Sequence, residues 1–227
     1  MDYVQNFPCI SIMLCLFAGI ISSGLRDKTA MWINAALLTV NTVLSACTLL
    51  YTLTIKEPFV YVMGKFPAPW GNEIRAGVLE ALMALFFCVI MLLSLFGGRH
   101  KLLEEVEEDK TYLYYVLTDL LLSSLLALVY TNDMFTAYVF VEINTIAACG
   151  LIMIRQNGRT IEAAVRYMIM SLLGSGMLLL GLCMLYDLTG HLLMSNIKES
   201  VALLAANEQY GIPLIVSIVL MSVGLCI

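Results

Sequence analysis

Charged residues are scarce in this chain. Lys, Arg, Asp and Glu make up 13% of its 227 residues, where a soluble domain carries about 25%. Basic residues are the scarcer kind, 12 against 17 acidic, and the net charge is −5. That balance leaves no basic surface for nucleic acid. Histidine occurs at His100 and His191 alone, and none of the seven cysteines (Cys9, Cys15, Cys47, Cys88, Cys149, Cys183, Cys226) forms a CxxC pair. No zinc or cluster site can be assembled from that set, so no metal and no cofactor is expected. A nucleotide-binding loop and a redox-cofactor motif are also lacking. The opening Met1-Asp2-Tyr3 has no positive n-region of a cleavable signal, so the first apolar run is expected to remain as a helix.

The chain is instead 61% apolar, with a mean hydropathy of +0.91. A soluble fold of this composition would leave large apolar surface against water. The chain therefore reads as all-α, a polytopic transmembrane helix bundle. A spanning helix needs about 20 mostly apolar residues. Runs of that kind lie near 7–25, 30–54, 76–97, 112–131, 133–154, 161–186 and 211–227, about seven spans. The cysteines all fall in or beside these runs and are expected to pack as small hydrophobes. The last run ends at Val223-Gly224-Leu225-Cys226-Ile227 with no polar flank and reads as a helix cut short. Residues 1–111 hold helices 1–3 with an outer loop at 55–75, and residues 112–227 hold helices 4–7.

Three connections carry structure of their own. Residues 55–75 mix aromatic and β-branched residues with Pro67, Pro69 and Gly71, the pattern of a β-turn or short hairpin. Residues 98–111, which include the acids from Glu104 to Asp109, read as a solvated charged loop or half-helix. Residues 187–210 are expected to hold a short amphipathic surface helix around Ser195 to Ala205, capped by Ser195 or Asn196. Helices 4 and 5 are joined by a tight turn at Thr131 to Asp133 and must be antiparallel neighbours. With the N-terminus outside, the inner segments carry seven basic residues (Arg26, Lys28, Arg99, Lys101, Lys110, Arg155, Arg159) and the outer ones four (Lys56, Lys65, Arg75, Lys198). The positive-inside rule therefore places the N-terminus outside.

Ionisable groups at bilayer depth are the informative residues, because each costs several kcal/mol unless paired or hydrated. Glu142 stands out. It lies eight residues into helix 5, about 12 Å along its axis, with Thr145 and Cys149 following at i+3 and i+7. A carboxylate there keeps its charge only when a cation is near, which suits a proton relay; a structural hydrogen bond to a neighbouring helix is the plainer alternative. Glu162 and Arg166 stand at i, i+4 near the start of helix 6, in the order that favours an ion pair. Asp119 either lines the same polar cavity as Glu142 or reaches a hydroxyl. Glu80 is close enough to the start of helix 3 to snorkel to the interface. Asp133 reads as the cap of helix 5, and His191 as a solvated loop residue. Ser171, Gly174, Ser175, Gly176 and Gly181 give helix 6 a close-packing face.

Several segments together resemble the antiporter-like subunits of respiratory complex I, Mrp-type sodium/proton antiporters and membrane-bound hydrogenases. TNDMFTAYVFVEINTIAACGLI resembles that family's fifth helix, whose essential mid-membrane glutamate matches Glu142 in Phe140-Val141-Glu142. EAAVRYMIMSLLGSGMLLLGLCMLYDLTG resembles the sixth helix, and GKFPAPWGNEIRAG the turn before the third. The resemblance implies a fold of fourteen helices with two inverted five-helix repeats, of which this chain holds the first half. Residues 112–227 would then begin the first repeat and stop in helix 7, just short of the family's lysine. Arg166 stands where the family commonly has lysine, and arginine is harder to deprotonate.

By this resemblance the chain is expected to translocate protons, or to exchange Na+ for H+, in a multi-subunit complex in a prokaryotic plasma membrane. Glu142 would act as the relay, assisted by Arg166, Glu162 and Asp119. Other membrane subunits, protons or Na+, and the lipid bilayer are the implied partners. Any redox chemistry would belong to partner subunits, since this chain carries no catalytic redox site. Two rival readings are a non-transporting helical scaffold and an unrelated small-solute carrier.

Overall fold

The computed structural model describes residues 3–24, 27–63, 72–106, 110–205 and 210–227. Its elements are α1 (Phe7–Ser23), α2 (Asp27–Ile55), β1 (Phe59–Val62), β2 (Glu73–Ala76), α3 (Val78–Glu105), α4 (Thr111–Tyr130), α5 (Met134–Met153), α6 (Gly158–Thr189), α7 (Met194–Ala205) and α8 (Gly211–Cys226). Among the described residues six helices, α1 to α6, are long and apolar enough to cross a membrane. The seventh apolar run is the shorter α8. The chain is a multi-pass membrane protein.

Helices α1 to α4 form one quartet, in which α1 packs on α4 and α2, and α2 packs on α3. Leu38, Cys88, Leu122, Leu126 and Tyr130 make the centre of its core. From α4 the bundle continues as a row: α5 on α4, α6 on α5, and α8 on α6. The α6–α8 contact is very close. A Cβ on Gly181 would lie 2.8 Å from the Ser217 carbonyl oxygen, and one on Gly224 would lie 2.6 Å from the Leu178 backbone nitrogen. Gly174 and Gly181 thus do the close packing expected of helix 6, whereas Gly176 faces open space.

The loop expected at 55–75 is an antiparallel hairpin, with Phe59 opposite Ala76 and Val62 opposite Glu73. Residues 64–71, with Pro67, Pro69 and Gly71, lie outside the described residues. β2 ties three connections together. Asn132 donates its N–H to the Glu73 carbonyl at 2.9 Å and its side-chain amide to Glu73 Oε2 at 3.1 Å, while Met194 N–H donates to the Asn132 carbonyl at 2.8 Å. The hairpin, the α4–α5 turn and the start of α7 therefore share one end of the bundle. At the other end Lys110 Nζ donates to Gln156 Oε1 at 2.7 Å. The hairpin and the α3–α4 link lie at opposite ends of α3, as expected.

Two boundaries are corrected. Residues 98–105 are not loop: α3 runs on through Gly97-Gly98 to Glu105, the half-helix alternative, and residues 107–109 lie outside the described residues. The amphipathic helix begins at Met194, so Ser195 and Asn196 sit in its first turn and do not cap it. The cause is tertiary, because Leu193 bridges to Asp133 and Met194 is tethered to Asn132 before the helix starts.

Asp133 caps α5 as expected, its Oδ1 accepting from Thr136 N–H at 2.7 Å. Removal of an N-cap side chain costs about 1 kcal/mol. Asp133→Ala is therefore expected to lower the melting temperature of the detergent-solubilised protein, and Asp133→Asn, which keeps the acceptor, to restore most of it.

Candidate functional site: the membrane-embedded carboxylates

The cap at Asp133 starts α5 so that Glu142 stands about 12 Å along the helix. The side chain is half-buried. One turn before it, Tyr138 interacts with its carboxylate. One turn after it, Thr145 is buried and its Oγ1 accepts from Ser171 Oγ of α6 at 3.2 Å. Asn144 points to α4, where its Oδ1 accepts from Ser124 Oγ at 3.2 Å. Between α5, α6 and α8 lies a partly open cavity of about 240 Å³, lined by Asn144, Thr145, Tyr167, Ser171 and Ser175 among apolar groups. Glu142 does not line it, but Val141 beside it does. Such a cavity is polar and roomy enough for water.

The other carboxylates are not gathered there. Glu162 and Arg166 form the expected i, i+4 ion pair at 2.5 Å, with side chains 63% and 78% exposed on the surface of α6. An exposed pair of this kind contributes about 0.3–0.5 kcal/mol. Arg166→Lys is accordingly expected to leave the melting temperature and the assembly of the complex almost unchanged; a large loss of either would mean that this pair is covered by a partner.

Asp119 departs from both sequence expectations. It is buried, and Asn34 of α2, not a hydroxyl, donates to its Oδ1 at 2.6 Å. Nor does it share a cavity with Glu142. α4 turns Leu117 and Ser124 to α5 but Asp119 to α1 and α2, where it packs near Gly19. Helix geometry separates the two because positions 119 and 124 fall on nearly opposite faces at 3.6 residues per turn. Glu80 accepts from Gly77 N–H at 3.1 Å and closes the start of α3. His191 is exposed, as expected.

The polar surroundings of Asp119 were not legible residue by residue. Asn34, Asn41, Ser45, Thr48 and Thr52 of α2 are all buried in the quartet. Asn41 donates to Cys15 Sγ at 2.8 Å, and Ser45 Oγ lies 3.5 Å from Cys88 Sγ. The available signal was their spacing of seven, four, three and four residues, one stripe along a spanning helix. The cysteines divide: Cys15, Cys88 and Cys149 are buried as expected, whereas Cys47, Cys183 and Cys226 face outward from the bundle.

Residues 131–227 match the family model described as NADH:quinone oxidoreductase/Mrp antiporter, TM. A relative from Desulforudis audaxviator, NADH-quinone oxidoreductase subunit N, is 34% identical over 156 residues, covering 67% of this chain and 30% of the relative. Two solved structures share the fold. A chain of the membrane-bound sulfane sulfur reductase, an archaeal respiratory membrane complex, superposes with a TM-score of 0.84 at 21% identity, covering 99% of this chain and 44% of that one. A chain of the Mrp complex from Dietzia sp. DQ12-45-1b gives a TM-score of 0.80 at 20% identity, covering 99% and 41%. The chain spans less than half the length of each of these proteins. The family model and the relative together place the chain in the NADH:quinone oxidoreductase/Mrp antiporter membrane family, to which it belongs.

Proposed function

We propose that this chain is part of a membrane subunit that moves protons, or exchanges Na+ for H+, inside a multi-subunit complex, with Glu142 as the group that takes up and releases the proton. The observation that carries this reading is a carboxylate about 12 Å into a spanning helix, half-buried beside Tyr138 and one turn from a polar cavity. A carboxylate so placed binds a proton as the neutral acid and releases it when a cation or water gives the charged form a partner. Residues 112–227 form the working unit in this proposal, and 1–111 the supporting helices. Arg166 and Glu162, at the exposed start of α6, assist the relay from the surface of that helix, and Asp119 assists from within the quartet. The Lys and Arg distribution supports an N-terminus outside, and the bacterial sources of the relatives support a prokaryotic plasma membrane.

The test is ion flux in vesicles holding the full-length protein assembled with its partners. Loss of flux in Glu142→Gln, with the complex intact, supports the proposal. Unchanged flux in that variant removes Glu142 from the mechanism.

A further inference from the structure

Five polar atoms inside the quartet have no hydrogen-bond partner among the described residues: Ser22 Oγ, Asn34 Oδ1, Asn41 Oδ1, Asp119 Oδ2 and the Tyr130 hydroxyl. All five side chains are at most 1% exposed. Buried polar groups are almost always satisfied, and leaving one orphaned costs about 1–3 kcal/mol. Four of them, all but Ser22, fall in one series. Asn34 holds Asp119, and Cys15 is the electrostatic neighbour of both Asp119 and Cys88. Asn41 bonds Cys15, and Ser45 meets Cys88. Tyr130 packs in the same core cluster as Cys88, at the hairpin end where Ile74 pairs with Thr131 and Glu80 closes the start of α3. Asp119 and Tyr130 are eleven residues apart on α4, about 16 Å along its axis. The sequence of neighbours thus runs from Asp119, deep in the bundle, to Glu80 at the hairpin end.

We propose that the quartet of α1 to α4 holds a file of bound water linking Asp119 to Glu80, and that this file passes protons between the two carboxylates. Three of the orphaned atoms, on Asn34, Asn41 and Asp119, accept hydrogen bonds, and two are hydroxyls that both give and accept. Water supplies both donors and acceptors, and buried waters are typically found where otherwise unsatisfied buried polar groups cluster. A proton reaching the Asp119 carboxylate forms the carboxylic acid. Each water, and the Tyr130 hydroxyl, then accepts one proton and gives one up, so that the proton ends on the Glu80 carboxylate and Asp119 is again charged. No redox partner is required. This path lies on the opposite face of α4 from Glu142 and does not depend on the role proposed for that residue.

The test is X-ray hydroxyl-radical labelling of the full-length protein in its native membrane complex, with water as the probe and mass spectrometry as the readout. Cys15, Cys88 and Tyr130 are expected to gain oxygen several-fold more than Cys47 and Cys183, which face outward from the bundle. Labelling at the file no higher than at those two cysteines overturns the proposal. Proton flux in vesicles gives the second arm: Asp119→Asn and Tyr130→Phe are each expected to cut it several-fold in assembled complexes. Wild-type flux in either assembled variant overturns conduction along the file. Loss of flux in Glu142→Gln alone, with both file variants at wild-type rates, supports the Glu142 reading and rejects this one. The reverse pattern does the opposite.

Discussion

Glu142→Gln, in the full-length protein assembled with its partners, is expected to abolish proton or sodium movement while leaving the complex intact. Glutamine keeps the size of glutamate and still accepts a hydrogen bond at its carbonyl oxygen, so the contact with Tyr138 has a substitute. What it loses is the ability to bind and release a proton. A half-buried position absorbs this exchange without a cavity or an orphaned charge, so folding should survive. Glu142→Asp keeps the charge and withdraws it by about one methylene; its flux should be intermediate. Asp119→Asn answers a separate question, since Asp119 faces the other side of α4. Flux in reconstituted vesicles, with complex integrity checked in the same preparation, decides the matter. An intact Glu142→Gln complex with normal flux would leave a structural role for the residue and favour the scaffold reading.

Gly181→Val is expected to be the most disruptive single packing change. A Cβ at this position would meet the Ser217 carbonyl oxygen at 2.8 Å and the Met221 backbone nitrogen at 2.9 Å. Both are backbone atoms of α8 and cannot rotate away. The helices must separate, and the bond from Ser217 Oγ to the Gly181 carbonyl, 2.8 Å long, is lost with the contact. Overpacking costs about 1–3 kcal/mol where side chains can adjust, and backbone atoms that cannot yield put this site at or above the upper figure. In a bilayer, helix association depends on such close van der Waals contact, because lipid is as apolar as leucine. The expected result is a sharply lower melting temperature in detergent and rapid proteolysis of the α7–α8 region. Gly176→Ala is the matched control on the same helix. Its Cβ meets nothing within 4 Å, and it should be neutral or slightly stabilising.

Much of the fold was legible because lipid imposes a simple rule. An apolar run near the thickness of the hydrocarbon becomes a helix, and the polar punctuation between runs marks the links. Asp133 was legible as a cap because capping is local, settled by a bond to Thr136 three residues on. The start of α7 was not, since it is set by Asn132, far away in sequence. Gly97-Gly98 followed by charges resembles the end of a helix, yet α3 continues, because glycine is merely a weak helix former with nothing here to stop the turn. The candidate site divides in the same way. Glu142 announces itself as a charge at mid-span. Asn34 and Asn41 carry no charge, and Asn34 meets Asp119 across 85 residues of chain. No local pattern reports a partner at that distance.

The helices also differ in length in a way that fixes depth. α4 and α5 have 20 residues each, and α6 has 32. At about 1.5 Å per residue the first two match a hydrocarbon slab of about 30 Å, while α6 exceeds it by about 18 Å. Such hydrophobic mismatch is relieved by tilt or by emergence from the slab. α6 is tied to α5 by a short link at its Gly158 end and is held at the hairpin end through the α7 link, so its extra length is taken up by tilt. The short pair instead acts as a depth gauge. Asp119 and Glu142 each stand about 12 Å from one end of a helix that matches the slab, whereas the longer α2, α3 and α6 meet a change in bilayer thickness by a change of tilt.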